Sequence, residues 1–305
     1  MKSSFKKLYL LFIISLVSNC TSKKQIVYEP IDISKKTYVY KKTKNSKKLK
    51  LDVYKSSKLK KNAPLIIYVH GGGFSGGSRD EEHIKKFCTE MANNGFITAS
   101  ISYRLTMKNY GFGCDTKSNL KIQAFNNASQ DISYATEYLL RNNKKFKINP
   151  KKIILIGSSA GAEAILNLVY VYNNKILPKN FKYAGVIAMA GAITTVDKIT
   201  KNRAIPTQLF HGNEDQLVPF DMAPHHYCDK NSNGYLILYG SRAIANKLHK
   251  IDAPYYLYTI QKGDHSWNSK PMSLCKKEIL YFINNYIFKK SESIEIIANK
   301  KSLRI

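Results

Sequence analysis

The chain has 305 residues, and its 49 Lys and Arg outnumber 21 Asp and Glu to give a formal net charge of +28. That length fits one domain with a large core. The excess charge is mostly lysine, dense over residues 23–61 and again at the C-terminus, and no nucleic-acid-binding motif accompanies it. It reads as a solvated basic surface open to anionic surfaces or acidic polysaccharide, and nucleic acid is not an expected partner.

Lys2, Lys6 and Lys7 precede an apolar stretch from Leu8 to Val17 that is too short to span a bilayer. Residues 1–19 therefore read as a signal peptide. The ending Val17-Ser18-Asn19-Cys20 is similar to a bacterial lipobox, with Asn19 where Gly or Ala is usual. Cys20 would then be the lipidated N-terminus of an exported protein anchored to an envelope membrane; plain secretion is the alternative. Residues 20–36 are polar and basic and read as a tether, 37–288 as the catalytic domain, and 289–305 as a basic tail.

Pro64 to Val69 reads as a buried strand that runs into His70-Gly71-Gly72-Gly73-Phe74. Three consecutive glycines suit a loop whose backbone N–H groups face a ligand, as an oxyanion hole requires. The donors assigned are the amides of Gly72, Gly73 and Ala160, and His70 is read as a scaffold residue of the loop. The absence of a Gly-Lys-Ser/Thr ending argues against phosphate binding. A helix is expected over 80–94.

Lys152 to Ile156 reads as a strand, Gly157-Ser158-Ser159-Ala160-Gly161 as a tight turn, and Ala162 to Tyr172 as a helix. A G-x-S-x-G nucleophile turn needs that context, and the spacing selects Ser159 rather than Ser158. The strand Ile205 to Gly212 is followed by two acids, Glu214 and Asp215. Tyr255 to Ile260 reads as the last strand, His265 lies in the loop after it, and a helical run from Lys276 to Phe288 closes the domain. A serine, an acid and a histidine beside oxyanion donors are the parts of an acyl-transfer site. His83 and His249 fall in helical segments and read as solvated; His225-His226 lack the spacing of metal ligands. No metal or cofactor is called for.

With Cys20 lipidated, Cys88, Cys114, Cys228 and Cys275 remain. Cys88 shares a helical apolar face with Ile84, Phe87 and Met91 and reads as a buried thiol. Cys228 with Cys275 is the expected disulfide, since both flank the loops of the acid and the histidine.

Taken together, the motifs resemble the α/β-hydrolase fold, in its branch of carboxylesterases and lipases carrying H-G-G-G. The hormone-sensitive-lipase-like and feruloyl/xylan-esterase-like groups are the nearest. Leu51-Asp52-Val53-Tyr54, Ser102-Tyr103-Arg104-Leu105 and Gln130-Asp131 share in this resemblance. It implies a mostly parallel sheet with helices on both faces, and a triad at Ser159, Asp215 and His265, so Asp215 is preferred to Glu214. The implied activity is hydrolysis of a small or carbohydrate-linked ester through an acyl-enzyme. A serine peptidase of the same fold and a non-catalytic surface-binding lipoprotein are the rivals. Segments 106–127 and 221–240 read as insertions on the rim, where Tyr110, Phe112, Tyr227 and Tyr235 are candidate pocket residues. The short interval from Ser159 to Asp215 leaves no room for a large lid domain.

Overall fold

Alternate residues of the central strands feed two separate apolar layers. In β3 (Ala63–Val69), Leu65, Ile67 and Val69 enter one core while Ile66 and Tyr68 enter the other. The same split divides Ile153 and Leu155 from Ile154 and Ile156 in β5 (Ile148–Ser158). A strand apolar on both faces must be covered on both faces, and helices do so here. The computed structural model describes residues 32–43, 46–59, 62–289 and 291–299. The segment read as a signal peptide and Cys20 lie outside them.

The other strands are β1 (Ile33–Lys42), β2 (Lys48–Ser56), β4 (Ile97–Ile101), β6 (Gly185–Met189), β7 (Thr207–Gly212), β8 (Met222–Pro224), β9 (Ile237–Tyr239), β10 (Tyr255–Gln261) and β11 (Ile294–Asn299). A nine-stranded sheet has the order β1-β2-β4-β3-β5-β6-β7-β10-β11. It is parallel from β4 onward, and β1 and β2 join it as an antiparallel pair. One face is covered by α1 (Glu82–Asn93), through Ile84, Phe87, Cys88 and Met91, and by the helix Lys276–Phe282. The other is covered by α2 (Ser118–Arg141), by the helix that follows β5, and by Ser241–Lys250. No helix among the described residues is long and apolar enough to cross a membrane.

Several expectations need correction. The sheet begins at Ile33, so residues 33–36 belong to β1 and not to a tether. Lys35 and Lys36 are exposed there, and an edge strand tolerates such charge. Tyr255–Gln261 is not the last strand: β11 pairs in parallel with it, from Tyr256↔Ile294 to Gln261↔Asn299, inside the span read as a basic tail. Segment 106–127 is not all rim, because α2 starts at Ser118 and buries Ala124 and Phe125.

Segment 221–240 folds into a small antiparallel pair, β8 with β9. The two rim segments are bound to each other. Cys114 is disulfide-bonded to Cys228, with Cα atoms 5.3 Å apart. Gly234 N donates to Cys114 O at 2.7 Å, Ser118 N to Asn233 O at 2.9 Å, and Lys121 Nζ to Gly234 O at 3.0 Å. The expected Cys228–Cys275 bond is therefore wrong. Cys275 begins the Lys276–Phe282 helix, packs in the core on the opposite face of the sheet, and is a free buried thiol, as is Cys88.

Candidate active site

The chain reverses sharply at the end of β5. Ser159 has φ 48° and ψ −123°, a conformation costly for a residue with a Cβ, and its N–H donates to Met189 O of β6 at 2.9 Å. The next residue opens α3 (Ala160–Leu166). This turn fits only because Gly161 has no side chain: a Cβ there would lie 2.1 Å from Val69 O and 2.6 Å from His70 O. Ser159 thus stands above the sheet at the start of a helix whose first N–H groups have no partner within it.

The glycine loop follows β3. Gly72 has φ +106°, and a Cβ on it would meet Gly76 O at 2.4 Å. Its carbonyl is turned into the loop, accepting from the amides of Ser75 and Gly76 at 3.1 and 2.9 Å. The loop's backbone hydrogen bonds use neither the Gly72 nor the Gly73 amide. Both glycines line a cavity of about 330 Å³ with Ser159 and His265. His70 is elsewhere: it is buried, stacks on Tyr103 at 4.5 Å, and donates from Nδ1 to Gly71 O at 2.8 Å.

Asp215 follows β7 and is fully buried. Its Oδ1 accepts from the amides of Leu217 and Val218 at 2.9 and 3.0 Å, which fixes the carboxylate plane. Its Oδ2 accepts from His265 Nδ1 at 2.7 Å. His211 Nε2 lies 3.3 Å from the same oxygen and 3.1 Å from Val218 O, while its Nδ1 meets Ser241 Oγ at 2.8 Å. Burial opposes ionisation of Asp215, but hydrogen bonds and charge from His211 and His265 outweigh it, so the carboxyl is held well below its usual range. Glu214, by contrast, is exposed.

His265 begins a short 3-10 turn after β10. Its Nε2 is 2.9 Å from Ser159 Oγ. With Nδ1–H given to the carboxylate, Nε2 is the lone-pair nitrogen and accepts from the serine hydroxyl. Three loops at the C-terminal ends of parallel strands thus bring Ser159, His265 and Asp215 into one hydrogen-bonded chain. Open parallel sheets place ligand sites at that end.

Three polar residues of the cavity wall are not assigned to the site by the sequence reading: Glu163, and His225 with His226, which are weighed there only as metal ligands. Glu163 lies one helical turn past Ser159 and is buried, and its Oε1 has no hydrogen-bond partner. His225 Nε2 is 3.5 Å away from that oxygen, and His225 Nδ1 also lacks a partner. His226 packs on His225 with ring centroids 4.3 Å apart. Burial pushes the Glu163 carboxyl up to about 8, with Asp215 adding to the rise and Lys121 opposing it. Burial, with His226 and Lys121, holds His225 well below its usual value, and burial brings His226 down to about 4. The Glu163–His225 contact is therefore between neutral partners near neutral pH. One readable signal existed: Glu163 is the single charged residue in the helix Ala160–Leu166, otherwise all small or apolar. Of the candidate pocket aromatics, Phe112 lines the cavity, whereas Tyr110, Tyr227 and Tyr235 are exposed on the rim. Among the described residues no cluster of three or more His, Cys, Asp or Glu is placed to hold a metal.

The sheet order, the turn at Ser159 and the flanking helices define an α/β-hydrolase, with no large lid domain among the described residues. The structure superposes on that of Thermogutta terrifontis esterase 2 in its apo form with a TM-score of 0.59 at 18% identity, covering 85% of this chain and 96% of that one. At this identity the likeness is one of fold. The BD-FAE family model matches residues 51–242, and the chain belongs to that family. Gut esterase 1 of Caenorhabditis elegans is 31% identical over 120 residues, 39% of this chain and 20% of that protein. Endo-1,4-beta-xylanase B of Butyrivibrio fibrisolvens is 24% identical over 212 residues, 59% of this chain and 30% of that protein. The matched region thus spans under a third of either curated relative.

Proposed function

We propose that the protein is a serine carboxylic-ester hydrolase acting through an acyl-enzyme. The observation that carries this reading is the continuous relay from Ser159 Oγ to His265 Nε2 at 2.9 Å and from His265 Nδ1 to Asp215 Oδ2 at 2.7 Å. His265 accepts the hydroxyl proton as Ser159 Oγ attacks the ester carbonyl carbon. The oxyanion is held by the amides of Gly72, Gly73 and Ala160. Collapse of the tetrahedral intermediate breaks the C–O bond to the alcohol, which takes the proton from His265. Water then attacks the acyl group, giving its proton to His265, and Ser159 recovers that proton as the acid departs. Asp215 keeps the imidazole in the required tautomer and stabilises its charged form.

The cavity of about 330 Å³ is at the small end of ligand pockets and favours a small ester group, free or on a carbohydrate. The partial match to a protein named as a xylanase is consistent with a carbohydrate-linked ester. Ser159→Ala is expected to lower turnover of 4-nitrophenyl acetate by about 10⁴-fold or more. Full activity in that variant, or no hydrolysis by wild type of any ester together with no labelling by a fluorophosphonate, refutes the reading.

We further propose that the chain is exported and anchored through a lipidated Cys20. The Cys114–Cys228 disulfide supports an oxidising compartment. Cys20→Ser is expected to move the protein from the membrane fraction to the soluble fraction, and unchanged fractionation would refute the anchor.

A further inference from the structure

Resting on the ester-hydrolase reading, we propose that Glu163 and His225 form a polar subsite that binds a hydroxyl group of the ester substrate. Glu163 and His225 line the cavity, and each carries a buried polar atom, Glu163 Oε1 and His225 Nδ1, with no hydrogen-bond partner among the described residues. A buried polar atom left unpaired costs free energy comparable to a lost hydrogen bond, so an apolar ligand is poorly matched to this wall. The contact between Glu163 Oε1 and His225 Nε2, at 3.5 Å, is too long to satisfy either group.

The position is tied to the chemistry. The Glu163 N–H donates to Ser159 O at 2.9 Å, so the carboxyl stands one turn of α3 beyond the nucleophile and on its side of the helix. His225 comes from the rim segment joined to Phe112 across the cavity mouth, with ring centroids 5.0 Å apart. Phe112 supplies an apolar wall beside the polar one.

The chemical class follows from charge. A substrate carboxylate would be buried near the ionised Asp215, with only neutral partners in Glu163 and His225. An ammonium group would find neutral partners in Glu163 and the two histidines and would be repelled by Lys121, whose Nζ is already given to Gly234 O. A neutral carboxyl and a neutral imidazole each offer both a donor and an acceptor. A hydroxyl, being both donor and acceptor, pairs with them in either imidazole tautomer.

Two ester pairs identify whether the hydroxyl belongs to the acyl or the alcohol part: ethyl lactate against ethyl propionate, and glycerol 1-acetate against propyl acetate. The quantity measured is the ratio of kcat/KM within each pair, divided by the corresponding ratio of hydroxide-catalysed rates. Wild type is expected to favour the hydroxylated member of one pair by about tenfold or more. Glu163→Leu is expected to remove that preference, and Glu163→Gln, which keeps a donor and an acceptor, to retain most of it. The proposal is overturned if wild type shows no corrected preference in either pair, a result that needs no variant to fold. It is equally overturned if Glu163→Leu keeps the preference. Wild-type turnover of 4-nitrophenyl acetate with unaltered ratios overturns the subsite alone; loss of both that turnover and fluorophosphonate labelling overturns the hydrolase reading.

Discussion

Removing the cross-link between the two rim segments should cost stability measurably. Cys114 and Cys228 are separated by 114 residues. In the chain-entropy description, closing a loop of that length in the unfolded state is worth about 5 kcal/mol at 25 °C. This is a ceiling, since residual structure in the unfolded chain reduces the entropy that the cross-link removes. A domain of this size loses about 2 °C of melting temperature per kcal/mol, so the double variant Cys114→Ala with Cys228→Ala should melt up to about 10 °C lower. Differential scanning calorimetry of the variant, and of wild type with and without reductant, measures the effect. Phe112 and His225 approach from the two linked segments, so the cavity wall should loosen below the melting temperature as well. A double variant melting within about 2 °C of wild type refutes the argument from loop entropy. A non-reducing peptide map joining Cys228 to Cys275 refutes the pairing itself.

Gly161→Ala should destabilise the fold by about 3 kcal/mol or more and abolish activity, because the added Cβ meets the Val69 carbonyl at 2.1 Å, where only backbone can yield; urea denaturation with an esterase assay checks both. Glu163→Gln should change how stability depends on pH. In wild type the carboxyl, pushed up to about 8 in the folded state, ionises more readily when unfolded. Its contribution is therefore fully present below the unfolded value of about 4.5 and is lost as pH rises toward 8. The variant lacks this loss, so its stability relative to wild type should grow by a few kcal/mol between pH 4.5 and 8 and then level off. A gap that does not change with pH over that range contradicts a buried carboxylic acid at this position.

Much of the site is legible in the sequence because its working groups sit beside strand ends, where a short apolar run and a glycine turn occupy adjacent positions. The strand Lys152 to Ile156, the turn through Ser159 and the small residues after it specify the reversal locally. Other features depend on partners distant in the chain. The β11 pairing, from Tyr256↔Ile294 onward, requires a partner strand some forty residues earlier, and its own alternation is blurred by exposed isoleucines. The disulfide depends on how α2 and the β8–β9 pair dock, which spacing does not reveal. Helix α2 begins inside an apparent insertion because its apolar positions, Ala124 and Phe125, alternate with polar ones such as Gln123 and Asn126. The Glu163–His225 contact bridges 62 positions, and only the oddity of a lone acid in an apolar helix points to it.

The two edges of the sheet differ in how they meet another copy of the molecule. On β1, Lys35, Lys36 and Lys42 are exposed along a strand whose outer hydrogen-bonding row has no neighbour in the sheet, so an approaching strand of the same sequence encounters like charge. On β11, Ile294 and Ile297 are 38% and 64% exposed, and lysine is absent from the strand itself. Much of the lysine excess that gives the chain its charge of +28 lies in and near the first two strands, where it acts as a guard against strand-to-strand aggregation. High salt, which screens that charge, would be felt first at the β1 edge, whereas the tolerance of β11 to association depends on its apolar side chains and hardly on ionic strength.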